Sequence, residues 1–363
     1  MIRVVHVLGD LSTGGVESFV MEIYRNIDKT KIQFDFLIHN IKNEKCRQEI
    51  EKLGGRIFLI DKFNFKNPLK YINDLDKILE NHKEISILHC HFRGTEPIIL
   101  KRAKKHGLLT ISHNHGPQNY SKFKTILRNI FKYQVLKYSD LKLACSHQVG
   151  TDFFGKGSYI KINNGIDLGK YKFNEEIRQK IRRDLNISNN YVLINVGSLS
   201  EIKNQEFLIR LMPGLVKRAP SIRLILAGDG DLRMDLENLS KDLGVSDKVI
   251  LLGDSDMVNV LLMGGDLFLF PSLREGLGIA AIEAQASGLK SILSTNVPSE
   301  VNVTDKSIFL DLDEKKWIQE IIKNKNYKRE DDSEQIKDAG YDIKLSALDL
   351  SFLYYKLLDY KIS

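Results

Sequence analysis

Short apolar runs rich in β-branched residues alternate along the chain with longer stretches whose apolar positions recur at helical spacing. In the first half, the runs predicted as buried strands are Ile2–Leu8, Phe34–Ile38, Arg56–Ile60, Ile85–His89, Leu109–Ser112, Leu141–Cys145 and Tyr159–Ile162. In the second half they are Tyr191–Val196, Ile222–Ala227, Val249–Leu252, Leu267–Phe270 and Ser291–Leu293. The helical patterns that separate them include Gly15–Asn26, Pro68–Asn81, Phe123–Tyr138, Gln205–Lys217, Leu232–Leu243 and Gly278–Ser287. Because such alternation builds parallel sheets from βαβ units, it predicts two doubly wound α/β domains.

The predicted boundary between the domains lies within Asn163–Asn186, which begins with the turn-forming segment NNGID at Asn163–Asp167. The charged segment Lys170–Arg183 follows it, before the next strand opens at Tyr191. We therefore expect one domain over residues 1–168 and a second over residues 169–344. The last apolar pattern has no strand after it, so we expect the helix at about 345–363 to cross back to the first domain.

Composition limits the class of protein. Of 363 residues, 42% are hydrophobic and 28% are charged, which excludes a disordered chain. The cysteines, Cys46, Cys90 and Cys145, are too few and too far apart for a disulfide scaffold or a zinc cluster, and they favour a reducing compartment. No run approaches the ~18 apolar residues of a spanning helix. We expect a cytoplasmic protein that is soluble or peripheral to a membrane.

Charge is distributed unevenly between the two predicted domains. Residues 1–168 contain 27 Lys/Arg and 17 Asp/Glu, a net charge of +10, whereas residues 169–363 contain 27 and 30, a net charge of −3. The two halves are therefore expected to meet different partners. The basic half has no aromatic residues interleaved on a recognisable nucleic-acid module, so we expect no nucleic-acid partner.

A glycine-rich loop, GDLSTGGVES, follows the first predicted strand and opens the first helix. Gly14 and Gly15 allow backbone N–H groups to approach an anion at the helix N-terminus. The loop matches neither the dinucleotide fingerprint nor the P-loop of nucleotide triphosphatases. The sequence of this loop leaves two interpretations open: a contact with phosphate, or a tight turn that binds no ligand.

Four histidines, His89, His91, His113 and His115, end two consecutive predicted strands. Ligands of open α/β sheets bind outside the carboxyl ends of the strands, so imidazoles there suit hydrogen bonding or proton transfer. H-x-H spacing also suits a metal ion, but no cysteine or carboxylate at ligand spacing accompanies these histidines. We favour hydrogen bonding or proton transfer over metal binding for these histidines, and we expect some of the four to have only a structural role.

Two further segments carry candidate ligands for an anionic sugar derivative. Lys203 lies in the loop GSLSEIKN, just before a helix, where a cation opposes the helix dipole unless an anion is bound. In PSLREGLGIAAIE, Glu275 precedes a helix that carries Glu283 among apolar residues. Carboxylates accept hydrogen bonds from sugar hydroxyls, and the first N–H groups of a helix, here near Gly278, suit a diphosphate.

Taken in order, these segments resemble glycosyltransferase family 4, with the GT-B fold. The resemblance spans nearly the whole chain and rests on GGVES, SHNHG, NNGID, GSLSEIKN, AGDGDLR and FPSLREGLGIAAIEAQASG, the last containing the E-x7-E pattern of retaining GT-B enzymes. The chain is most similar to bacterial capsule, exopolysaccharide and O-antigen transferases. This implies two Rossmann-like domains facing across a cleft, with the acceptor on the first domain and the donor on the second.

The resemblance also implies the reaction: a hexose or N-acetylhexosamine moves from a nucleotide-diphosphate sugar, by analogy a UDP-sugar, to a lipid-linked saccharide with retention of configuration. No metal or other cofactor is implied. His113 and Glu275 would be catalytic, with His113 near the sugar 6-hydroxyl and Glu275 on hydroxyls of the transferred sugar. The donor-binding residues would be Gly14, Gly15, Ser198, Lys203, Gly276, Leu277, Gly278, Ile279 and Glu283, with Lys203 on the diphosphate and Glu283 on the ribose.

One departure concerns Ser198, where many family members have an arginine on the diphosphate. Serine removes a bidentate cation, which weakens this part of the site or transfers the charge to another residue such as Arg274. Two alternatives stay open. A sugar-nucleotide epimerase or phosphorylase has the same fold, and Ser198 leaves open a scaffold that binds a sugar nucleotide without catalysis.

A basic amphipathic helix is predicted at Tyr120–Ser139, which contains no acidic residue. It is either an ordinary core-facing helix or a surface that rests on the anionic inner leaflet of the plasma membrane, where each basic residue adds ~1 kcal/mol of attraction. The basic residues assigned to this membrane or acceptor surface are Lys122, Lys124, Arg128 and Lys132.

Overall fold

The computed structural model describes residues 1–12, 14–91, 94–116 and 125–362, without the side chains of residues 125–128 and 360–362. The chain forms two compact units. The first unit consists of Met1–Gly165 together with Ile343–Ser363, and the second unit consists of Ile166–Asp342. The chain therefore leaves the first unit once and returns to it at its last helix.

The first unit is built on a parallel sheet with the order β5-β3-β1-β6-β7-β8-β9. Its strands are β1 Ile2–Val7, β3 Ile32–Ile38, β5 Ile57–Leu59, β6 Ile85–Cys90, β7 Leu109–Asn114, β8 Leu141–Ala144 and β9 Ile160–Lys161; the short strands β2 Asp10–Leu11 and β4 Asn40–Ile41 pair separately. Its helices are α1 Gly15–Asn26, α2 Glu44–Lys52, α3 Pro68–Asn81, α4 Glu96–Lys105, α5 Thr125–Tyr138, α6 His147–Phe154 and α15 Ile343–Ile362.

The second unit is built on a parallel sheet with the order β12-β11-β10-β13-β14-β15. Its strands are β10 Tyr191–Val196, β11 Ile222–Ala227, β12 Val249–Gly253, β13 Leu267–Phe270, β14 Ser291–Ser294 and β15 Ser307–Leu310. Its helices are α7 Leu168–Tyr171, α8 Glu175–Asp184, α9 Gln205–Arg218, α10 Arg233–Asp242, α11 Val258–Gly264, α12 Ile279–Ala286, α13 Glu314–Lys323 and α14 Ser333–Asp338, with 3-10 turns at Ser246–Lys248 and Ser299–Val301.

The two parallel sheets, each with helical crossovers, confirm the predicted α/β fold class. Each sheet also has a point where the strand order reverses, between β1 and β6 in the first unit and between β10 and β13 in the second. The loops that leave adjacent strands there run in opposite directions. A crevice opens between such loops, and it is the usual ligand site of open α/β sheets.

The last helix, α15, contributes to the core of the first unit. Leu350, Leu353 and Tyr354 are buried in the same apolar cluster as Phe34 on β3 and Ile87 on β6. Such packing is expected because helices cover both faces of a parallel sheet, so its strands carry apolar residues on both faces. Burying a leucine or phenylalanine side chain is worth about 1.5–3 kcal/mol, so α15 adds several such contributions to the first unit.

The charged segment Lys170–Arg183, which lies within the predicted boundary, forms the second half of α7 and nearly all of α8 in the second unit. Two of its three arginines, Arg178 and Arg182, face inward. Arg178 Nη1 donates to the carbonyl of Gly265 over 2.6 Å, and Arg182 Nη1 donates to the carbonyl of Gly264 over 2.8 Å. These guanidinium groups satisfy backbone carbonyls at the end of α11, which explains how so polar a helix packs against the domain.

Candidate active site

In the second unit, Lys203 and Glu275 meet at the reversal point of the sheet. Lys203 lies in the loop that follows β10, and Glu275 lies in the loop that follows β13. Lys203 Nζ is 2.7 Å from Glu275 Oε1, and the side chains are 24% and 9% exposed. Two residues separated by 72 positions in the chain thus form one charged contact where an open α/β sheet binds its ligand.

The Lys203 loop is held in place by the loop that follows β11. Leu199 N donates to Asp229 O over 2.9 Å. Gly228 has a φ of 140°, and a Cβ at this position would lie 2.1 Å from the carbonyl oxygen of Gly197. Only glycine permits this approach of two backbones, which accounts for the first glycine of the AGDGDLR motif.

The helix α12 begins at the same edge of the sheet. Its N-cap is Gly278, with a φ of 97°, and a Cβ at this position would lie 3.1 Å from the ring of Phe270. Leu277 is buried, and the N–H groups of Ile279 and Ala280 belong to the first turn of the helix. First-turn N–H groups have no partner within their own helix, and the helix dipole favours an anion there.

Glu283 lies farther along α12 and has a partner that the sequence did not indicate. The hydroxyl of Tyr171, on α7, donates to Glu283 Oε1 over 2.6 Å. Tyr171 is buried, so its ring has little freedom to move away. This contact fixes one carboxylate oxygen of Glu283, and no sequence signal links two residues that are 112 positions apart.

Ser198 is exposed, and its hydroxyl lies 3.5 Å from that of Ser200. It supplies no charge to the loop. Lys203 remains the cation of this loop, and its ammonium group also lies 5.3 Å from the centre of the Phe270 ring. Arg274 directly precedes Glu275 in the chain, and its assignment to the missing positive charge stays a prediction.

In the first unit, the glycine-rich loop leads into α1. Gly14 is the N-cap of α1, and its N–H donates to Ser12 Oγ over 3.4 Å. A Cβ at Gly14 would lie 2.4 Å from a carboxylate oxygen of Glu17, whereas a Cβ at Gly15 would meet open space. Burial raises the pKa of Glu17, although a hydrogen bond to Ser12 opposes the change. Glu17, which was not predicted as a site residue, occupies the position of a capping-box acid, three residues after the N-cap.

His113 belongs to a cluster of five buried or half-buried imidazoles at the carboxyl ends of β1, β6 and β7. His6, on β1, was not predicted as a member; its Nδ1 lies 2.9 Å from His91 Nε2. His91 Nδ1 lies 2.8 Å from His115 Nε2, and His89 Nε2 lies 3.3 Å from His113 Nδ1. The other ring nitrogen of His89, Nδ1, lies 2.8 Å from the hydroxyl of Tyr354 on α15.

Burial holds four of these imidazoles, those of His6, His89, His91 and His113, in their neutral form. It lowers the pKa of His91 to about 3, and it lowers the pKa values of His6, His89 and His113 with additional repulsion from neighbouring histidines. Neutral imidazoles are also metal ligands, and two groups lie close enough to share one ion: His6, His89 and His91, and His91, His113 and His115. In each group, a proton shared between two ring nitrogens would have to leave before a metal could bind.

Both halves of the chain match family models. The model described as Glycosyltransferase Family 4 matches residues 13–170, and the model described as Glycosyl transferases group 1 matches residues 177–329. EpsF of Bacillus subtilis (strain 168), which is named as a glycosyltransferase, is 30% identical over 312 residues that cover 83% of this chain and 81% of EpsF. The chain belongs to glycosyltransferase family 4.

A second relative of this glycosyltransferase is the UDP-Gal:α-D-GlcNAc-diphosphoundecaprenol α-1,3-galactosyltransferase of Escherichia coli, 27% identical over 62% of each chain. Among solved structures, HepE of Anabaena in complex with UDP and glucose is similar, with a TM-score of 0.82, 16% identity, and coverage of 98% of this chain and all of HepE. The protein is thus a GT-B glycosyltransferase related to bacterial enzymes of polysaccharide synthesis, which confirms the resemblance seen in the sequence.

The basic surface predicted for this glycosyltransferase lies only partly within the described structure. Lys122 and Lys124 are outside the described residues, as is the side chain of Arg128. Lys132 lies on α5, between the exposed side chains of Ile130 and Tyr133. The role of this surface stays a prediction.

The buried histidines predict a pH dependence that is confined to the first unit. All nine histidines of the glycosyltransferase precede residue 166. Unfolded histidines titrate near ~6.5, whereas the buried ones have lowered pKa values, so below that pH the unfolded state binds more protons. The stability of the first unit should therefore fall as the pH drops from about 7 to about 5, by on the order of 1 kcal/mol per pH unit for each such imidazole.

Hydrogen exchange followed by mass spectrometry measures this effect separately in the two units. After correction for intrinsic exchange, protection of β1, β6 and β7 should decrease at the lower pH. The strands of the second unit, which contains no histidine, serve as the internal control and should change less. Equal pH dependence in both units would show that the imidazole cluster does not set the acid sensitivity.

Proposed function

We propose that this glycosyltransferase moves a hexose or N-acetylhexosamine from a UDP-sugar to a lipid-linked saccharide of a bacterial surface polysaccharide, with retention of configuration. The observation that carries the proposal is the contact of Lys203 with Glu275 beside the N-terminus of α12, at the reversal point of the second sheet. The donor is supported by the UDP and glucose bound to HepE. The acceptor is supported by the name of the Escherichia coli relative, which specifies a diphosphoundecaprenol-linked sugar.

A bound diphosphate would change the partners of Lys203. In the structure, its ammonium group is neutralised by Glu275 over 2.7 Å. A diphosphate carries more negative charge than one carboxylate, so it competes for Lys203 and frees Glu275 to accept hydrogen bonds from sugar hydroxyls. The first-turn N–H groups of α12 supply further donors to the phosphates.

These groups suit departure of a nucleotide diphosphate without a metal ion. Negative charge develops on the leaving phosphate as the bond to the sugar breaks, and fixed donors stabilise it at no cost in reorganisation. The N-terminus of α12 supplies such fixed donors in the second unit, and Lys203 adds a positive charge once the diphosphate has displaced Glu275. The nitrogen-only groups of the first unit are poorly matched to Mg²⁺, which prefers oxygen ligands. We therefore include metal independence in the proposal.

Glu275 and Glu283 belong to one loop and the helix that follows it. Two carboxylates placed in this way can bind neighbouring parts of one ligand, the transferred sugar and the ribose. The acid and nucleophile of a glycosidase instead flank the scissile bond. This placement supports transfer from a bound donor over hydrolysis.

An acceptor carried by a lipid requires access to a membrane surface. Among the described residues, no helix combines the length and apolarity needed to span a bilayer. The helix α5 buries Val135 and exposes Ile130 and Tyr133, which are 55% and 62% exposed. Exposed apolar side chains beside basic residues are typical of helices that lie in a membrane interface, so we assign peripheral contact with an anionic leaflet to this helix.

The function is tested by a thermal-shift screen of UDP-sugars, followed by transfer assays with undecaprenyl-diphosphate-linked GlcNAc in EDTA. A donor at 100 times its dissociation constant adds ~2.7 kcal/mol of stability, which the screen detects. We expect one UDP-sugar to stabilise the protein and its sugar to appear on the lipid with unchanged anomeric configuration. Turnover without acceptor would instead identify an epimerase, and binding without turnover a scaffold. Activity lost in EDTA and restored by a divalent ion would contradict metal independence.

The two glutamates are expected to act at different stages. Contacts to the transferred sugar strengthen as its anomeric bond loosens, so Glu275→Gln should lower kcat by roughly 100-fold. Ribose contacts persist throughout the reaction, so Glu283→Gln should raise the donor KM by roughly tenfold with a smaller effect on kcat. Steady-state kinetics with the identified UDP-sugar separate these effects.

Glu330→Gln is the matched control, because Glu330 pairs with Lys306 over the same distance of 2.7 Å on the surface of the second unit. It should leave both constants unchanged. Wild-type kinetics in both Glu275→Gln and Glu283→Gln would remove these residues from the site.

Sedimentation with lipid vesicles tests the membrane surface. With Lys124, Arg128 and Lys132 replaced by glutamine, binding to phosphatidylglycerol vesicles should weaken by roughly 100-fold, because each basic residue contributes ~1 kcal/mol. High salt should weaken wild-type binding in the same direction. The control replaces three exposed lysines of α13, Lys315, Lys316 and Lys323, and should bind as wild type does. Equal binding of the wild type to neutral vesicles, or none to anionic ones, would contradict the assignment.

A further inference from the structure

A continuous hydrogen-bonded chain links the last helix of the protein to His113. The hydroxyl of Tyr354, on α15, lies 2.8 Å from His89 Nδ1, and His89 Nε2 lies 3.3 Å from His113 Nδ1. The three side chains are at most 2% exposed, so water does not compete for these contacts. His113 Nε2 ends the chain, and it is buried with no hydrogen-bond partner among the described residues.

The direction in which protons are donated along these hydrogen bonds follows from Tyr354. Its hydroxyl has one proton, and His89 Nδ1 is the partner found for it among the described residues. If His89 donated to Tyr354, the tyrosine proton would be buried without an acceptor, which is energetically unfavourable. A phenol is also a better donor than a neutral imidazole, and an imidazole nitrogen a better acceptor than a phenol oxygen. Tyr354 therefore donates to His89.

That direction determines the protonation of both histidines. A neutral imidazole has one N–H donor and one acceptor nitrogen. Because His89 Nδ1 accepts from Tyr354, its proton is on Nε2 and is donated to His113 Nδ1. His113 must then carry its own proton on Nε2. The burial that lowers the pKa values of His89 and His113 keeps each ring at a single proton.

We infer that Tyr354 and His89 are positioning residues that hold His113 as the tautomer protonated on Nε2, so that His113 serves its ligand as a hydrogen-bond donor and not as a base. A ligand oxygen at Nε2 satisfies every donor in the chain. In the reverse direction, the Tyr354 proton stays unsatisfied whatever binds. The tautomer itself does not depend on the proposed function; the identification of the ligand oxygen as one of the donor sugar rests on it.

A metal ion would require a different state of the same residues. His89 and His113 each belong to one of the two histidine groups whose nitrogens lie close enough to share an ion. Both ring nitrogens of His89 and Nδ1 of His113 take part in the hydrogen-bond relay from Tyr354 through His89 to His113, and Nε2 of His113 carries a proton. A metal ion bound by either histidine would therefore break the relay. The relay and a metal site at these histidines are thus mutually exclusive, and one experiment distinguishes them.

The experiment is a two-bond proton–nitrogen correlation spectrum of the full-length protein labelled with ¹⁵N-histidine, which distinguishes protonated from unprotonated ring nitrogens. His89→Gln and His113→Gln variants assign the signals. We expect Nε2 to be protonated and Nδ1 to be unprotonated in both His89 and His113. A proton on Nδ1 of His113, or loss of the two signals on addition of stoichiometric Zn²⁺, would overturn the inference. The wild-type spectrum decides the direction even if no variant at Tyr354 folds.

Tyr354→Phe tests whether the Tyr354 hydroxyl determines which ring nitrogens of His89 and His113 are protonated. Without the hydroxyl, His89 and His113 should become mixtures of both tautomers, which shifts their nitrogen signals. Tyr24→Phe is the matched control, because Tyr24 is a buried tyrosine of the same core whose hydroxyl donates to Gln33 and not to a histidine. It should leave both histidines unchanged. An unchanged His113 in a folded Tyr354→Phe protein would also overturn the inference.

Kinetics supply an independent readout once a donor is known. His113→Gln keeps an N–H donor and loses the basic nitrogen, so it should retain at least tenfold more activity than His113→Ala. Tyr354→Phe should lower kcat by roughly tenfold with little change in KM. Equal loss of activity in the glutamine and alanine variants would indicate a base. If no nucleotide sugar supports transfer, the proposed function fails, while the spectra still decide the tautomer.

Discussion

Parallel strand pairing is the constraint on which both halves of this protein depend. It requires every strand to be followed by a crossover, so all carboxyl ends, with the loops that leave them, gather at one edge of each sheet. Where the strand order reverses, two such loops diverge and leave polar backbone and side chains exposed to a ligand. In the second unit this geometry joins Lys203 to Glu275. In the first it gathers imidazoles from β1, β6 and β7.

The two units place different kinds of polar side chain at these sheet edges. The second unit keeps permanent charges, Lys203 and Glu275, partly open to solvent, so they can exchange partners at low cost. The first unit buries neutral imidazoles, whose ionisation would be costly in a dry interior. A group with fixed charge suits a phosphate, whereas a neutral donor with a fixed orientation suits a hydroxyl.

Much of this arrangement could be predicted from the sequence, because strand periodicity and loop chemistry are local. The apolar runs gave nearly all the central strands, and the resemblance to glycosyltransferases marked Lys203, Glu275 and His113. What escaped prediction depends on distant packing: Tyr171 reaches Glu283 across 112 positions, and Tyr354 reaches His89 across 265. The strand Ser307–Leu310 and the arginine-rich helix α8 were also missed. The strand is only four residues long, which is short for an apolar pattern. The helix α8 is too polar for such a pattern, and hydrogen bonds from its arginines to backbone carbonyls compensate for that polarity.

The return of the chain to the first unit at Ile343 has a consequence for how the protein is made. The first 165 residues leave the ribosome long before α15, yet the core of their unit includes Leu350, Leu353 and Tyr354. Until those side chains arrive, an apolar surface on the first unit is uncovered and His89 lacks its hydroxyl partner. The second unit, by contrast, is contiguous in the chain and can complete its sheet during synthesis. The order of synthesis and the order of completion are therefore reversed: the unit that begins the chain is the one that is finished last.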